Sequence, residues 1–140
     1  MSLRHIGITI TDVEESLSFY RDILGFKVAR VMNESGQHID NFSNLSGVSV
    51  QTIKLKDKND NMIELLKYHS HPEVATRDEI TRIGCSHIAL TVSDLDLLLE
   101  KINKSGYSAN CEPQYSPDGK VKLTFCRGPD GVLIEMVEEL

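Results

Sequence analysis

This chain contains an approximate copy of itself, and that repeat limits what it can fold into. The stretch "RHIGITITDVEESLSFYRDILGFKV" (4–28) aligns with "SHIALTVSDLDLLLEKINKSGYSA" (86–109). His5 then meets His87 and Asp12 meets Asp94, each pair separated by the same 82 positions. Asp12 and Glu15 form a capping-box pattern, and Val13, Leu17, Tyr20 and Leu24 recur at helical spacing until Gly25. The second helix starts at Asp94, buries Leu95, Leu98 and Ile102, and stops at Gly106. β-rich stretches follow: Phe26 to Val31, Val48 to Lys56 and Met62 to Tyr68 in the first copy. Tyr107 to Cys111, Val121 to Cys126 and Val132 to Val137 follow in the second. The pattern is α+β, a βαβββ module written twice over 3–68 and 85–139. The two copies also end alike, in "DNMIELLKY" (60–68) and "PDGVLIEMVEE" (129–139), each a turn signal followed by a strand with a central glutamate. Glu64 and Glu135 are only 71 positions apart, so the first copy holds a surplus. It is expected in the polar stretch Asn33 to Gly47, read as a loop that could serve as a lid.

Strand side chains alternate between faces, which puts His5, Gly7 and Thr9 opposite Ile6, Ile8 and Ile10, and His87, Ala89 and Thr91 opposite Ile88, Leu90 and Val92. The aliphatic faces suit a core. The other faces, small residues plus one histidine, suit the floor of a cavity. Glu64 and Glu135 each place a charge inside an apolar strand, where a carboxylate needs a partner or a cation. Two histidines and two carboxylates at matched positions of a duplicated unit can converge on one axis, and one divalent metal there explains all four. Imidazole with carboxylate suits Zn, Ni, Co, Mn or Fe. The three cysteines, Cys85, Cys111 and Cys126, lie in no CxxC spacing, which argues against a thiolate zinc site and a disulfide framework.

Composition bounds the partners. With 140 residues the chain is about one domain long, and its net charge of −6 argues against a nucleic-acid surface or an anionic membrane surface. Its apolar runs fall far short of the roughly 20 residues that span a bilayer, and Met1 to Arg4 holds no secretory h-region. The expectation is a cytoplasmic protein acting on a small molecule. His69 and His71 read as a solvated turn and Cys126 as no nucleophile; Lys54, Lys56, Lys58, Lys120 and Lys122 stand at alternate positions that could meet a phosphate or carboxylate of a large substrate, with solvent-facing strand lysines the preferred reading.

At "HIGITITDVEESLSFYRDILGF", "SHIALTVSDL" and "GPDGVLIEMVE" the sequence resembles the vicinal oxygen chelate superfamily, which includes glyoxalase I, methylmalonyl-CoA epimerase, extradiol dioxygenases and bleomycin- and fosfomycin-resistance proteins. The resemblance implies paired βαβββ modules curling into a half-open β-barrel around a metal, with ligands on the first and last strands of each. Carried over, His5, Glu64, His87 and Glu135 fall on the ligand positions. That set is most similar to glyoxalase I, lactoylglutathione lyase. It implies lyase or isomerase chemistry through a metal-bound enediolate, with Glu135 the first choice of base and Glu64 its counterpart. Arg30 and Thr9 fall on the substrate side. Thr9 stands where glutathione-dependent members carry an arginine, which speaks against glutathione. "HIGITI" is similar to the first strand of methylmalonyl-CoA epimerases, but their usual glutamine at the second ligand position is Glu64 here. An extradiol dioxygenase uses two histidines and one carboxylate, and a fourth ligand would crowd it. The non-enzyme alternative is a metal-free binding protein of the bleomycin-resistance type. The resemblance also implies a homodimer.

Overall fold

Two aspartates start the helices that the repeat predicts. The structure is a computed structural model that describes residues 1–73 and 79–140. In it, Asp12 Oδ1 accepts the Glu15 amide at 2.8 Å and Asp94 Oδ1 accepts the Leu97 amide at 2.9 Å. Each bond satisfies an amide that a helix start otherwise leaves open. The first helix ends at Gly25, whose positive φ of 82° suits a residue without a side chain.

The chain divides into two units, Met1–Ala75 and Thr76–Leu140, each carrying one copy of the repeat. The first runs β1 (Ile6–Thr9), α1 (Val13–Leu17, continuing as a π-helical stretch over Ser18–Ile23), β2 (Lys27–Ser35), α2 (Gln37–Ser43), β3 (Ser49–Lys56) and β4 (Met62–Tyr68). Its open sheet has the order β1-β4-β3-β2, with β1 parallel to β4 and the other pairs antiparallel. The second runs β5 (Ile88–Val92), α3 (Leu95–Lys104), β6 (Gln114–Tyr115), β7 (Val121–Arg127), a 3-10 turn over Pro129–Gly131 and β8 (Leu133–Glu139). Its order is β5-β8-β7-β6, again with the first and last strands parallel. The βαβββ module is therefore present twice with the same topology.

The alternation expected from the sequence holds. Ile8, Ile53, Leu55, Ile63 and Leu65 share one face of the first sheet and are buried, as are Phe19 and Tyr20 of the helical stretch. In the second unit Ile134, Met136 and Cys126 are completely buried, with Leu95 and Ile102 of α3. Lys122 shares their face and departs from the solvent-facing reading. It is 7% exposed, and its ammonium meets Asp96 at 3.0 Å and Glu138 at 3.1 Å. Glu138 also accepts the Leu95 amide at 2.8 Å, so one lysine and one glutamate tie the start of α3 to the sheet. The two carboxylates raise the Lys122 pKa well above the ordinary lysine value.

Two other expectations are corrected. The strand expected at Tyr107 to Cys111 forms only a single bridge, Ala109 with Cys126, and the fourth strand is the two-residue β6. The polar stretch 33–47 is no open loop: β2 continues to Ser35 and α2 follows at once. The Asp40 carboxylate accepts the Gly47 amide at 2.9 Å and the Val48 amide at 2.8 Å, which closes the return from α2 into β3. Ile39, Val48 and Val50 are buried together, with Leu66 and Tyr68 packed against them.

Those two amides hold the Asp40 carboxyl below the usual carboxylate pKa, since they bond the charged form. A depressed folded-state pKa contributes stability above the ordinary carboxylate range, and that contribution is lost as pH falls through the folded value. Asp40→Asn is expected to lower the urea midpoint at pH 7. The gap from wild type should narrow as pH falls below the ordinary carboxylate range, which urea titrations over a pH series will read.

Candidate functional site

Parallel pairing of the first and last strands aligns Gly7 with Glu64 in one unit and Ala89 with Glu135 in the other. A histidine stands two residues before each small residue and therefore on the same side. His5 Nε2 lies 3.6 Å from Glu64 Oε1, and His87 Nε2 lies 3.3 Å from Glu135 Oε2. Both pairs are half-buried, the Glu64 side chain being 13% and the Glu135 side chain 23% exposed. The small residues matter: Gly7 has no side chain to cover Glu64, and a Cβ there would stand 3.3 Å from Leu66 Cδ1.

The pair spacing bears on a metal. Two ligands each about 2.1 Å from one ion, at the tetrahedral angle, stand about 3.4 Å apart. Both histidine–glutamate separations bracket that value, and the donor types are those of borderline divalent ions. A metal-bound imidazole usually gives its other ring nitrogen a partner. His87 Nδ1 has one in Ser86 Oγ at 2.9 Å, whereas His5 Nδ1 is buried with no hydrogen-bond partner among the described residues. Among the described residues no group of three or more His, Cys, Asp or Glu side chains gathers, so each unit by itself offers two donors.

The surroundings of the two pairs differ. Opposite Glu64 on the next strand stands Lys54, its ammonium 3.5 Å from Glu64 Oε2. Opposite Glu135 stands Phe125, whose ring meets the His87 ring edge-on at 5.3 Å. Beyond Lys54, on β2, comes Arg30, exposed and in register with it. Simple alternation would put Arg30 on the face of Val28. A bulge between Val28 and Arg30 instead leaves Val28 opposite Leu55 and turns Arg30 to the side of Lys54 and Glu64. Thr9 is exposed on that side as well, aligned with Leu66.

Phe125 and Ser86 were not singled out by the sequence as site residues, and Lys54, read there as a solvent-facing lysine, is instead half-buried beside Glu64. Their places depend on which β3 and β7 residues face the glutamates, and a single sequence does not state cross-strand register. The other expectations for side chains fare variously. His69 and His71 are exposed, with His71 Nδ1 at 3.0 Å from Ser70 Oγ. Lys56 meets Asp60 at 3.0 Å across the β3–β4 turn. No cysteine is in a disulfide. Burial pushes the Cys126 thiol pKa up to about 12, which removes the thiolate that a nucleophile needs.

Comparison with known proteins bears on the chain as a whole. The sequence profile of the Glyoxalase/Bleomycin resistance protein/Dioxygenase superfamily matches residues 2–136. YaeR of Escherichia coli (strain K12), itself uncharacterized, is 30% identical over 98% of this chain and 95% of its own. A probable lactoylglutathione lyase of Synechocystis sp. is 30% identical over 99% of this chain and 95% of its own. Among solved structures, a glyoxalase family protein from Bacillus cereus has a TM-score of 0.90 at 22% identity, covering 99% of this chain and 93% of its own. The fosfomycin resistance protein FosX from Listeria monocytogenes, solved with Mn(II) and sulfate, has a TM-score of 0.68 at 14% identity, covering 99% and 93%. At these identities the two structures speak for the fold alone.

Burial orders the three thiols by reactivity. Iodoacetamide is expected to label the exposed Cys85 and Cys111 in the native protein and to reach Cys126 only on unfolding, as peptide mass mapping will read.

Proposed function

The chain belongs to the glyoxalase/bleomycin resistance protein/dioxygenase superfamily, and within it we propose that this protein is a metal-dependent lyase or isomerase. Its substrate is a small 2-oxo or hydroxy-carbonyl compound, and the reaction begins with loss of the proton alpha to a carbonyl. One observation carries the reading: the same histidine–glutamate pair occurs at the equivalent place in each unit, at separations suited to two ligands of one ion. His5, Glu64, His87 and Glu135 would hold a divalent metal such as Ni, Zn, Co, Mn or Fe, which would supply Lewis-acid polarisation of the substrate carbonyl.

The protein's own groups divide the remaining work. Glu135 is the base. Its ion-pair partner among the described residues is His87, and the strand beside it presents the Phe125 ring rather than a charge. Glu64 is engaged on both oxygens, by His5 on one and Lys54 on the other, which suits it to holding rather than to moving a proton. Gly7 and Ala89, with no bulk over the glutamates, leave the reacting carbon room to approach. Arg30 and Thr9 stand on the Glu64 side and contact the substrate away from the reacting carbon.

The first experiment is metal content of untagged protein by elemental analysis, in wild type, His5→Ala and Glu135→Ala. About one transition metal per chain is expected, lost in both variants while folding persists. With the metal present, loss of an oxo-aldehyde hemithioacetal without oxygen uptake is expected, and Glu135→Gln should slow it by about 10²–10⁴-fold. Metal-free wild type after reconstitution, or oxygen consumption with turnover, would overturn the reading.

A further inference from the structure

We infer that Lys54, seconded by Arg30, is an anchor for an anionic group of the substrate. The molecule that reacts at the glutamates therefore carries a negatively charged carboxylate or phosphate besides its reactive carbonyl. The inference rests on the function proposed above and adds a substrate class to it.

The internal repeat supplies the control. The slot opposite the glutamate is Lys54 in the first unit and Phe125 in the second. The module therefore builds its sheet with an aromatic ring in that slot, and no cation is needed there for folding. Where the cation does occur it is held close: the Lys54 side chain is 19% exposed, on the same side as Glu64. Partial burial of an ammonium is costly unless its donors are used. Glu64 lies 3.5 Å away, longer than the roughly 2.8 Å of a good charge-assisted hydrogen bond, and a lysine has three donors to give. The contact leaves capacity for another acceptor.

Arg30 strengthens the argument because a backbone irregularity brings it there. The bulge that turns Arg30 to the Lys54 side costs β2 a regular pairing. Bulges re-aim side chains in this way beside functional sites. The result is a row across three neighbouring strands: carboxylate at Glu64, ammonium at Lys54, guanidinium at Arg30. Neighbouring strands are about 4.8 Å apart, so the anion sits about 5–10 Å from Glu64. Lysine acts as a point charge and arginine as a planar fork, a combination that grips a carboxylate or a phosphate at the end of a short chain.

The test is binding of inorganic phosphate and of succinate to metal-stripped protein by calorimetry at low and high salt, so that it does not depend on the metal. At least one probe should bind wild type and weaken with salt. Phosphate in preference to succinate assigns a phosphorylated substrate, and the reverse a second carboxylate. Lys54→Met should weaken the preferred probe about tenfold or more, Lys54→Arg should retain most of it, and Arg30→Met should weaken it by a smaller factor. Glu64→Gln should tighten it, because the competing carboxylate is gone. Thermal melts of each variant report whether the fold is intact. Equal binding by wild type and folded Lys54→Met, or no binding of either probe to wild type and to Glu64→Gln, overturns the inference. Elemental analysis of unstripped, reconstituted wild type keeps the two ideas apart: no metal there, together with anion binding that Lys54→Met loses, would sink the metal-dependent reading and leave the anchor standing.

Discussion

The parallel pairing of the first strand with the last in each unit is the constraint on which the site depends. The two strands lie far apart in sequence, and only this pairing sets a histidine before β1 or β5 beside a glutamate in the middle of β4 or β8. Parallel neighbours require a crossover, and the helix with two further strands provides it. The helix caps at Asp12 and Asp94, the glycine stop at Gly25 and the buried aliphatic faces all serve that closure. In the second unit the tie is explicit, since Lys122 and Glu138 join α3 to the sheet on the side away from Glu135.

Duplication gives the protein two equivalent donor pairs, and divergence then distinguishes their surroundings. A charged residue and an aromatic one occupy the same slot of the module, so each glutamate faces a different neighbour. This is a physical route to different roles for two groups of one kind, because a carboxylate's behaviour is set by its surroundings more than by its identity. Glu64 has cations beside it and α2 near the end of its face, through Val50, Leu66 and Tyr68. Glu135 has an apolar ring.

Much of this was legible in the sequence because it depends on local rules. The repeat, the capped helices, the alternating faces of β1 and β5 and the glutamates in mid-strand follow from periodicity and from side-chain chemistry, and the structure has them where the pattern puts them. What was missed depends on pairing. Lys122 looks like any strand lysine until register sets it between Asp96 and Glu138. Arg30 falls on the wrong face by simple counting, because one bulge reverses the alternation. The stretch 33–47 reads as loop on composition, yet Asp40 and the buried Ile39 make it a short helix. The fourth strand of the second unit shifts to Gln114–Tyr115, where no strong β pattern advertises it.

The difference between Lys54 and Phe125 also bears on why this fold hosts many reactions. The backbone needs only that the residue opposite each glutamate fit a pleated, half-buried surface, a condition that both a lysine stem and a phenyl ring satisfy. That slot can therefore change chemically while strand pairing, the histidine–glutamate distance and the helix face stay as they are. Neighbouring positions of β2, β3 and β7 are free to vary, while the histidine before the first strand and the glutamate in the middle of the last keep their places. The residues on the glutamate face of one unit can thus diverge from those of the other without disturbing the aliphatic core behind them, because a strand's two faces are read by different neighbours.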